Sequence, residues 1–308
     1  MDYSKCTLEQ FRQLTGENQY LALLQDVLTT GQLRKGRNGN VYSKFGAKLD
    51  FNIKDSFPLL TTKQVFWKGV REELLWFIQG STDAKLLADK GVHIWDGNST
   101  REFLDSRQLV DYRDGELGPV YGWQWRHFNA DYISFDNRPE GFKPKGVDQL
   151  QNCIDLIRND PMSRRIYMTA WNPQQLDQMA LPPCHISYNF YVDICPTTGK
   201  KYLSTMMYQR SADLFLGVPF NIASTALLTY MVAHVTGCVP DKISIAICDA
   251  HIYEEHVEAV NEQLKRVPIA APKLTINRKV ENIDSFVSED FTLENYYSHP
   301  SIKAKMIA

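Results

Sequence analysis

The chain has 308 residues, of which 44% are hydrophobic and 12% are aromatic, so it is long enough to bury a large core. Its 34 basic and 36 acidic residues give a formal net charge of −2. The chain has no overall basic excess that would favour binding to nucleic acid or to a membrane surface, so any anion site must be local. Six cysteines at irregular spacing are too sparse for a disulfide scaffold, which predicts reduced thiols and a cytoplasmic protein.

In chain order, residues 1–16 are polar and show no apolar signal region. The spacing of apolar residues predicts helices over residues 18–30, 63–79, 148–160 and 220–236. The last of these is apolar nearly all round, which indicates a buried helix. Its apolar stretch is shorter than the ~18 residues that a membrane span needs, so we expect no membrane-spanning segment.

Strands are predicted at residues 165–171, 186–192, 202–208 and 243–247. Residues 129–147 are polar and rich in proline and glycine, which predicts a surface insertion. Helices and strands follow one another irregularly, so we expect an α+β fold in a single domain over the whole chain.

The chemistry concentrates around Cys184. Pro182 and Pro183 precede it, and proline fixes the backbone angle φ, so the thiol is held in one orientation. A buried structural cysteine is the commoner interpretation of such a residue taken alone. A metal site would need several ligands at short spacing, and Cys184 has only His185 beside it, so we expect no metal.

A second cluster follows at residues 208–221. Arg210 can bind an anion through its planar guanidinium and can favour a nearby thiolate. Asp213 is an acceptor, and Asn221 offers both a donor and an acceptor, enough to bind an amide edge such as that of uracil. Any one of these residues alone fits a solvated turn equally well.

Three other arginines could also contribute to an anion site. Arg164 and Arg165 stand before a predicted strand, and Arg37 lies in a loop that contains glycine. Each alone is more often part of a solvated or ion-paired surface. Together they could supply a phosphate pocket.

Short motifs in this order resemble the signature of the thymidylate synthase family. They occupy residues 73–77, 94–96, 117–122, 163–166, 171–173, 179–185, 208–211, 217–224 and 249–253. The resemblance runs from about residue 18 to the C-terminus. It implies an α+β fold with a large bent mixed sheet flanked by helices, and a homodimer that packs sheet on sheet.

The resemblance also implies a reaction, in which 5,10-methylenetetrahydrofolate supplies carbon and hydride to C5 of dUMP and dTMP forms. Cys184 is expected to attack C6 of the pyrimidine, which makes C5 nucleophilic. Glu73 is expected to organise water and proton transfer, and Tyr121 to assist proton removal from C5. Asp213 is expected to order the substrate and contact the folate ring, while Asn221 binds the uracil edge.

The binding residues follow by the same resemblance. The nucleotide site is expected to use Arg37, Gln209, Arg210, Ser211, His251 and Tyr253, with Arg164 and Arg165 supplied by the partner subunit. The folate pocket is expected to use Ile94, Trp95, Asn98, Asp213, Leu216, Gly217 and Phe220. Lys63 is expected to meet the glutamate tail of the folate, and the C-terminal residues up to Ala308 to close over the ligands.

The sequence departs from the family pattern at several positions. Residues 37–41 read Arg-Asn-Gly-Asn-Val where the family usually has Arg-Thr-Gly-Thr-Gly. Thr225 replaces a usual tyrosine, and Cys248 replaces a usual glycine. The chain ends in Met-Ile-Ala at residues 306–308 rather than in an Ala-Val type of ending.

Two alternatives stay open at this stage. The first is a folate-dependent dUMP hydroxymethylase, which uses the same thiol but lets water instead of hydride complete the reaction. Asn221 argues against a cytosine substrate, since relatives that act on dCMP carry aspartate there. The second is an RNA-binding regulator without enzymatic activity, which the complete catalytic set and the lack of basic excess disfavour.

Overall fold

The computed structural model describes residues 16–36 and 38–307, so Arg37 and Ala308 lie outside the described residues. The described residues form eight α-helices: α1 (Glu17–Thr30), α2 (Trp67–Ile78), α3 (Lys85–Ala88), α4 (Arg101–Ser106), α5 (Tyr121–His127), α6 (Gln149–Asn159), α7 (Gly217–Thr236) and α8 (Val257–Leu264). They also form eight strands: β1 (Gln32–Lys35), β2 (Asn40–Asn52), β3 (Tyr167–Thr169), β4 (His185–Ile194), β5 (Lys201–Asp213), β6 (Val239–Tyr253), β7 (Lys273–Ile276) and β8 (Phe291–Glu294).

Six strands form one sheet in the order β1-β2-β6-β5-β4-β3, and β7 pairs separately with β8. Within the large sheet only β5 and β6 run parallel, and the other neighbours are antiparallel. A parallel pair needs a long crossover connection, and α7 supplies it. The predicted α+β fold, with a large mixed sheet and flanking helices, is confirmed. The single domain with an insertion at 129–147 stays a prediction; that range is irregular except for a short 3-10 turn (Phe135–Asn137) and an isolated antiparallel bridge between Val147 and Phe128.

Helix α7 is the central helix of the core. It begins three residues before the predicted start, and its 20 residues are apolar enough, by length and composition, to cross a membrane. The length argument made from the sequence therefore does not hold, and the expectation of no membrane-spanning segment stays a prediction. However, 78% of its most apolar window is buried inside the fold, which is typical of a core helix.

The helix predicted at residues 63–79 begins only at Trp67. The reason is a long-range contact that the local sequence does not contain. The Glu17 carboxylate accepts the backbone N–H groups of Thr61 and Thr62, both at 2.8 Å. These bonds hold the preceding segment in a non-helical conformation.

Three strand predictions were too short, the one at residues 165–171 was longer than β3, and β1, β2, β7 and β8 were missed. Strand β6 extends far beyond the predicted residues 243–247, and its neighbour β2 has 13 residues. Gly46, with a φ of 73°, lies in the middle of β2. Phe45 pairs with Asp249 and Ala47 with Ile247, so the antiparallel register is the same on both sides of Gly46.

The sheet register brings functional candidates together. Parallel pairing sets Ser211 beside Asp249 and Asp213 beside His251, while antiparallel pairing sets His185 beside Gln209. These positions lie where β5 and β6 end, next to the start of α7. The fold thus concentrates the polar residues of three strands at one edge of the structure.

The opposite face of the sheet carries large exposed apolar side chains: Tyr167, Tyr191, Met206 and Tyr208 are 46%, 61%, 45% and 40% exposed. A cleft of about 820 Å³ lies on this face, and Arg164 is among the residues that line it. A contiguous apolar surface of this kind is typical of an interaction site.

Candidate active site

A second cleft, of about 510 Å³, lies at the ends of β5 and β6. It brings together seven of the site residues predicted from sequence: Asn98, Cys184, Arg210, Ser211, Asp213, His251 and Tyr253. Met306 and Ile307 of the C-terminal tail also line it. The cleft is therefore bounded by the sheet edge on one side and by the chain terminus on the other.

Cys184 and Arg210 form the centre of this cleft. The guanidinium of Arg210 donates to the carbonyl oxygens of Pro183 at 2.8 Å and Pro182 at 3.0 Å. Its Nη2 then lies 3.8 Å from the Cys184 Sγ atom. A guanidinium at that distance stabilises a thiolate, the nucleophilic form of cysteine. The two prolines thus do more than stiffen the chain, because their carbonyls orient the cation.

Tyr121 lies behind Cys184. Its phenol oxygen accepts the backbone N–H of Cys184 at 2.9 Å, and its ring stacks on His185 with centroids 4.3 Å apart. Burial, reinforced by the nearby Cys184, raises the pKa of Tyr121 well above its usual value. Burial also lowers the pKa of His185 to about 3. The phenol therefore keeps its proton and can donate it in a hydrogen bond, and His185 is a neutral packing partner.

Glu73 is the carboxyl group best suited to proton transfer. Burial raises its pKa to about 7, against a smaller opposing effect of the Trp95 indole, whose Nε1 donates to Glu73 Oε1 at 2.8 Å. A group that titrates near neutrality can both accept and release a proton at working pH.

Gln209 orients the amide of Asn221. Its Nε2 donates to Asn221 Oδ1 at 3.0 Å and to the backbone carbonyl of Ser211 at 3.2 Å. This fixes which end of the Asn221 amide is the oxygen. One lone pair of that oxygen and both hydrogens of the amide nitrogen remain for a ligand.

Asp213 is held by the turn that leads into α7. Its Oδ1 accepts the backbone N–H groups of Phe215 at 2.9 Å and Leu216 at 3.3 Å. Lys63 lies nearby but points into the protein, where its ammonium donates to the Phe215 carbonyl and lies 3.5 Å from the centroid of the Phe215 ring. Burial lowers the pKa of Lys63 to about 7, although Asp213 opposes the shift.

Asp249 was not assigned a role from sequence, although it begins one of the recognised motifs. It lines the cleft, and its Oδ1 lies 3.4 Å from His251 Nδ1 and accepts from Ser43 Oγ at 2.8 Å. The contact with His251 is the main reason that the pKa of Asp249 is lowered. Asp249 thereby fixes the orientation of the His251 ring. Arg107 also lines the cleft, and no motif indicated it.

The residues expected to bind the folate are brought together only in part. Asn98 lines the cleft. The Trp95 indole donates to the Glu73 carboxyl group. Ile94, Leu216 and Phe220 are partly buried and pack against the core, and Gly217 begins α7. Lys63 would have to leave its buried position to meet a glutamate tail.

Arg164 and Arg165 are exposed and lie in the turn before β3. Arg164 lines the cleft on the other face of the sheet, so it does not reach Cys184 of its own chain. Arg37 and Ala308, the two remaining candidates, lie outside the described residues.

The positions that depart from the family pattern lie in different environments. Asn38 lines the cleft, and Asn40 Nδ2 donates to Glu254 Oε2 at 3.0 Å. Thr225 is fully buried in α7, and Cys248 lies in β6 between Ile247 and Asp249, which pair with Ala47 and Phe45 of β2. Within residues 16–36 and 38–307, no group of three or more His, Cys, Asp or Glu side chains could hold a metal ion.

Comparisons with known proteins agree with this geometry. A family model described as thymidylate synthase matches residues 18–308. The chain is 53% identical to the human protein of that name over 292 residues, which is 94% of this chain and 90% of the human protein. It is 52% identical to the thymidylate synthase of Agaricus bisporus over 294 residues, 94% of this chain and 98% of that protein. It is also 52% identical, over 291 residues, to a bifunctional dihydrofolate reductase-thymidylate synthase of Zea mays, and spans 54% of that longer protein.

The raised pKa of Glu73 predicts a pH-dependent cost to folding. The folded state holds this proton up to about pH 7 and the unfolded chain releases it near pH 4.5, so stability falls as pH rises through that window. Glu73→Gln should therefore be more stable than the parent by on the order of 2 kcal/mol at pH 8, and equal to it at pH 4. Chemical denaturation across this pH range measures the difference.

Glu72 supplies the matched control. Burial alone would raise its pKa, but Lys90 and Ser288 together lower it, so its stabilising effect is present at high pH and is lost on acidification. Relative to the parent, Glu72→Gln should therefore become less stable as pH rises. A difference between Glu73→Gln and the parent that stays constant with pH would contradict the assignment of a near-neutral Glu73.

Proposed function

The chain belongs to the thymidylate synthase family, and from this premise we propose that its Cys184 cleft carries out the reductive methylation of dUMP to dTMP. The observation that carries the proposal is the Arg210 guanidinium, held by two proline carbonyls at 3.8 Å from the Cys184 thiol. The co-substrate 5,10-methylenetetrahydrofolate supplies the carbon and the hydride when bound.

The first task of the site is to make C5 of the pyrimidine nucleophilic. The Cys184 thiolate adds to C6, and the electron pair of the C5–C6 double bond moves toward C5 and the O4 carbonyl. Arg210 stabilises the thiolate before attack. The two hydrogens on its Nη1 are not used in the proline contacts, so they suit a nucleotide phosphate together with Ser211.

The second task is proton movement around the base. Glu73 titrates near neutrality, so it can exchange protons with the O4 side of the ring, directly or through water. Tyr121 keeps its phenolic proton, and its oxygen already accepts from the Cys184 backbone. It therefore assists removal of the C5 proton by hydrogen bonding and not as a phenolate.

The third task is recognition of the base and sugar. The Asn221 nitrogen can donate to O4 of uracil while its oxygen accepts from N3–H, and the contact with Gln209 fixes this orientation. His251 and Tyr253 lie in the same cleft and suit a ribose hydroxyl. Lining by Met306 and Ile307 supports closure of the C-terminal tail over both ligands.

The active unit is a homodimer that packs the exposed sheet faces together. The exposed side chains of Tyr167, Tyr191 and Met206 support this arrangement, since burial of such apolar surface favours association. Arg164 lines the cleft on that side of the subunit, and Arg164 with its neighbour Arg165 would complete the phosphate site of the partner. A two-fold axis then gives two equivalent sites.

The alternatives are weaker. A dUMP hydroxymethylase would share Cys184, but the closely similar relatives are named thymidylate synthases, and the indole of Trp95 beside Glu73 fits the reductive route. An RNA-binding role has no support in the net charge of −2. A cytoplasmic location, inferred only from sparse cysteines, is part of the proposal.

The nucleophile is tested with Cys184→Ser. A serine hydroxyl is far less acidic and less nucleophilic than a thiol, so turnover should fall to background. The proline carbonyls hold Arg210 independently of the thiol, so dUMP should bind within a few-fold of its normal affinity by isothermal calorimetry. Near-normal turnover in this variant would refute the mechanism.

Base selection is tested at Asn221. Cytosine offers a donor and an acceptor where uracil offers an acceptor and a donor, so the native protein should strongly prefer dUMP to dCMP. Asn221→Asp should partly relax that preference, measured as the ratio of kcat/KM values. Asn221→Ala, the control, should weaken both substrates without favouring dCMP. Equal use of both nucleotides by the native protein would contradict this assignment.

The shared arginines are tested by mixing two inactive proteins, Cys184→Ala and the double variant Arg164→Ala/Arg165→Ala. Loss of one charge-assisted hydrogen bond costs ~1.5–3 kcal/mol, so the double variant should bind dUMP at least about tenfold more weakly. A heterodimer contains one site with an intact thiol and intact partner arginines. Activity should return after subunit exchange. If heterodimers form and activity stays absent, the arginines are not shared.

A further inference from the structure

His256 connects the C-terminal tail to the floor of the cleft. It ends the short 3-10 turn (Glu254–His256) that follows β6, and it is fully buried. Its Nε2 lies 2.8 Å from the carbonyl oxygen of Lys305, and its Nδ1 lies 3.8 Å from Asp213 Oδ1. One imidazole therefore spans the distance between the tail and a residue of the catalytic cleft.

The surroundings of His256 limit its polar contacts to these two directions. Phe215 and Tyr253 pack against the ring, with centroids 5.5 Å and 5.4 Å away. Nδ1 has no hydrogen-bond partner within normal distance among the described residues. Any proton on Nδ1 would thus point toward the Asp213 carboxylate.

The two contacts place different demands on the ring. A carbonyl oxygen only accepts, so Nε2 must carry a proton to bond Lys305. A neutral imidazole then has a lone pair on Nδ1, facing a carboxylate oxygen. Only the protonated ring presents a donor to both groups. The geometry is therefore satisfied in full by the imidazolium form.

We propose that His256 is a positioning residue that latches the C-terminal tail onto the active site, binding the Lys305 carbonyl with one nitrogen and facing Asp213 with the other. The proposal rests on the proposed function in one respect, that tail closure covers the ligands. Met306 and Ile307, the residues next along the chain, line the Cys184 cleft. A bond at Lys305 thus holds them over the site.

Charges around the ring favour the protonated form. Burial is the largest effect and lowers the pKa of His256, but Asp213 and the Lys305 carbonyl together outweigh it and raise the pKa. Lys63, which lies in the loop before α2, lowers the pKa of His256 and so disfavours the charged ring. The side chains of Lys305 and Glu255 pair at 3.9 Å and are 75% and 56% exposed, so solvent screens them. Tyr20 of α1, whose hydroxyl donates to Leu214, stays protonated and adds no charge.

The pH dependence follows from the sign of this shift. The Lys305 carbonyl, which only the closed tail supplies, is one of the groups that raise the pKa of His256, so closure is favoured below that pKa and weakens as pH rises through it. Lys63, whose pKa is lowered to about 7, loses its charge as pH rises. That loss would strengthen the hold of Asp213 on a charged His256, so the two effects differ in sign.

Two substitutions separate the two contacts. The side-chain amide of His256→Gln reaches toward the Nε2 position, so it can donate to Lys305 but carries no charge toward Asp213. The amide of His256→Asn reaches only toward the Nδ1 position and loses the hydrogen bond to the Lys305 carbonyl. Both remove the titratable group, so neither should show the pH dependence of the native protein.

The test is digestion of the tail by carboxypeptidase, with a free peptide of residues 300–308 as the control for the effect of pH on the protease. At pH 6.5, His256→Asn should lose the tail about tenfold faster than the native protein, equivalent to about 1.4 kcal/mol. The native rate should rise with pH toward the rate of His256→Gln, and both variants should be independent of pH. Equal rates for the native protein and His256→Asn would overturn the latch.

A binding cycle tests whether the latch acts through the tail. Dihydrofolate affinity is measured with dUMP already bound, in full-length protein and in a chain truncated after Ala304. His256→Asn should weaken dihydrofolate about tenfold in the full chain and not at all in the truncated one. Equal weakening in both would show a structural role in place of a latch. Unchanged dUMP affinity in the variant shows that the protein is folded. Turnover of the native protein tests the proposed function separately.

Discussion

The guanidinium of Arg210 donates to the carbonyl oxygens of Pro182 and Pro183 and reaches the Cys184 sulfur with the same nitrogen that contacts Pro182. This arrangement needs both partners in place. The two prolines give the loop its shape, and the backbone N–H of Arg210 donates to the Cys184 carbonyl at 2.9 Å, which ties the loop to β5. The cation is thus fixed before any ligand arrives, and no reorganisation is needed when the thiolate forms.

The surrounding fold supplies groups whose proton affinities suit different tasks. Burial raises the pKa of Glu73 to about 7 and holds Tyr121 in its phenol form, while His185 stays neutral. Two further groups, Lys63 and His256, lie near Asp213 and have shifted pKa values of opposite direction. Such a concentration of perturbed groups around Cys184 and Asp213 is characteristic of catalytic sites, where charge must appear and disappear at working pH.

Much of the site could be predicted from local motifs, because Cys184, Arg210 and Asp213 stand in short segments that the sheet brings to one edge. What escaped prediction depended on distant contacts. The inward turn of Lys63 follows from a carbonyl about 150 residues further along the chain, and the late start of α2 follows from Glu17. Strand β2 is held by antiparallel pairing with β6, which lies far along the chain. The His256 contact joins two segments that carry no motif in common.

Product analysis tests the central claim most directly. The protein is incubated with dUMP and 5,10-methylenetetrahydrofolate, and the nucleotide and folate products are identified by mass spectrometry. A site that works as described here yields dTMP and dihydrofolate in equal amounts. Formation of 5-hydroxymethyl-dUMP with tetrahydrofolate, or no conversion of dUMP at all, would contradict the account.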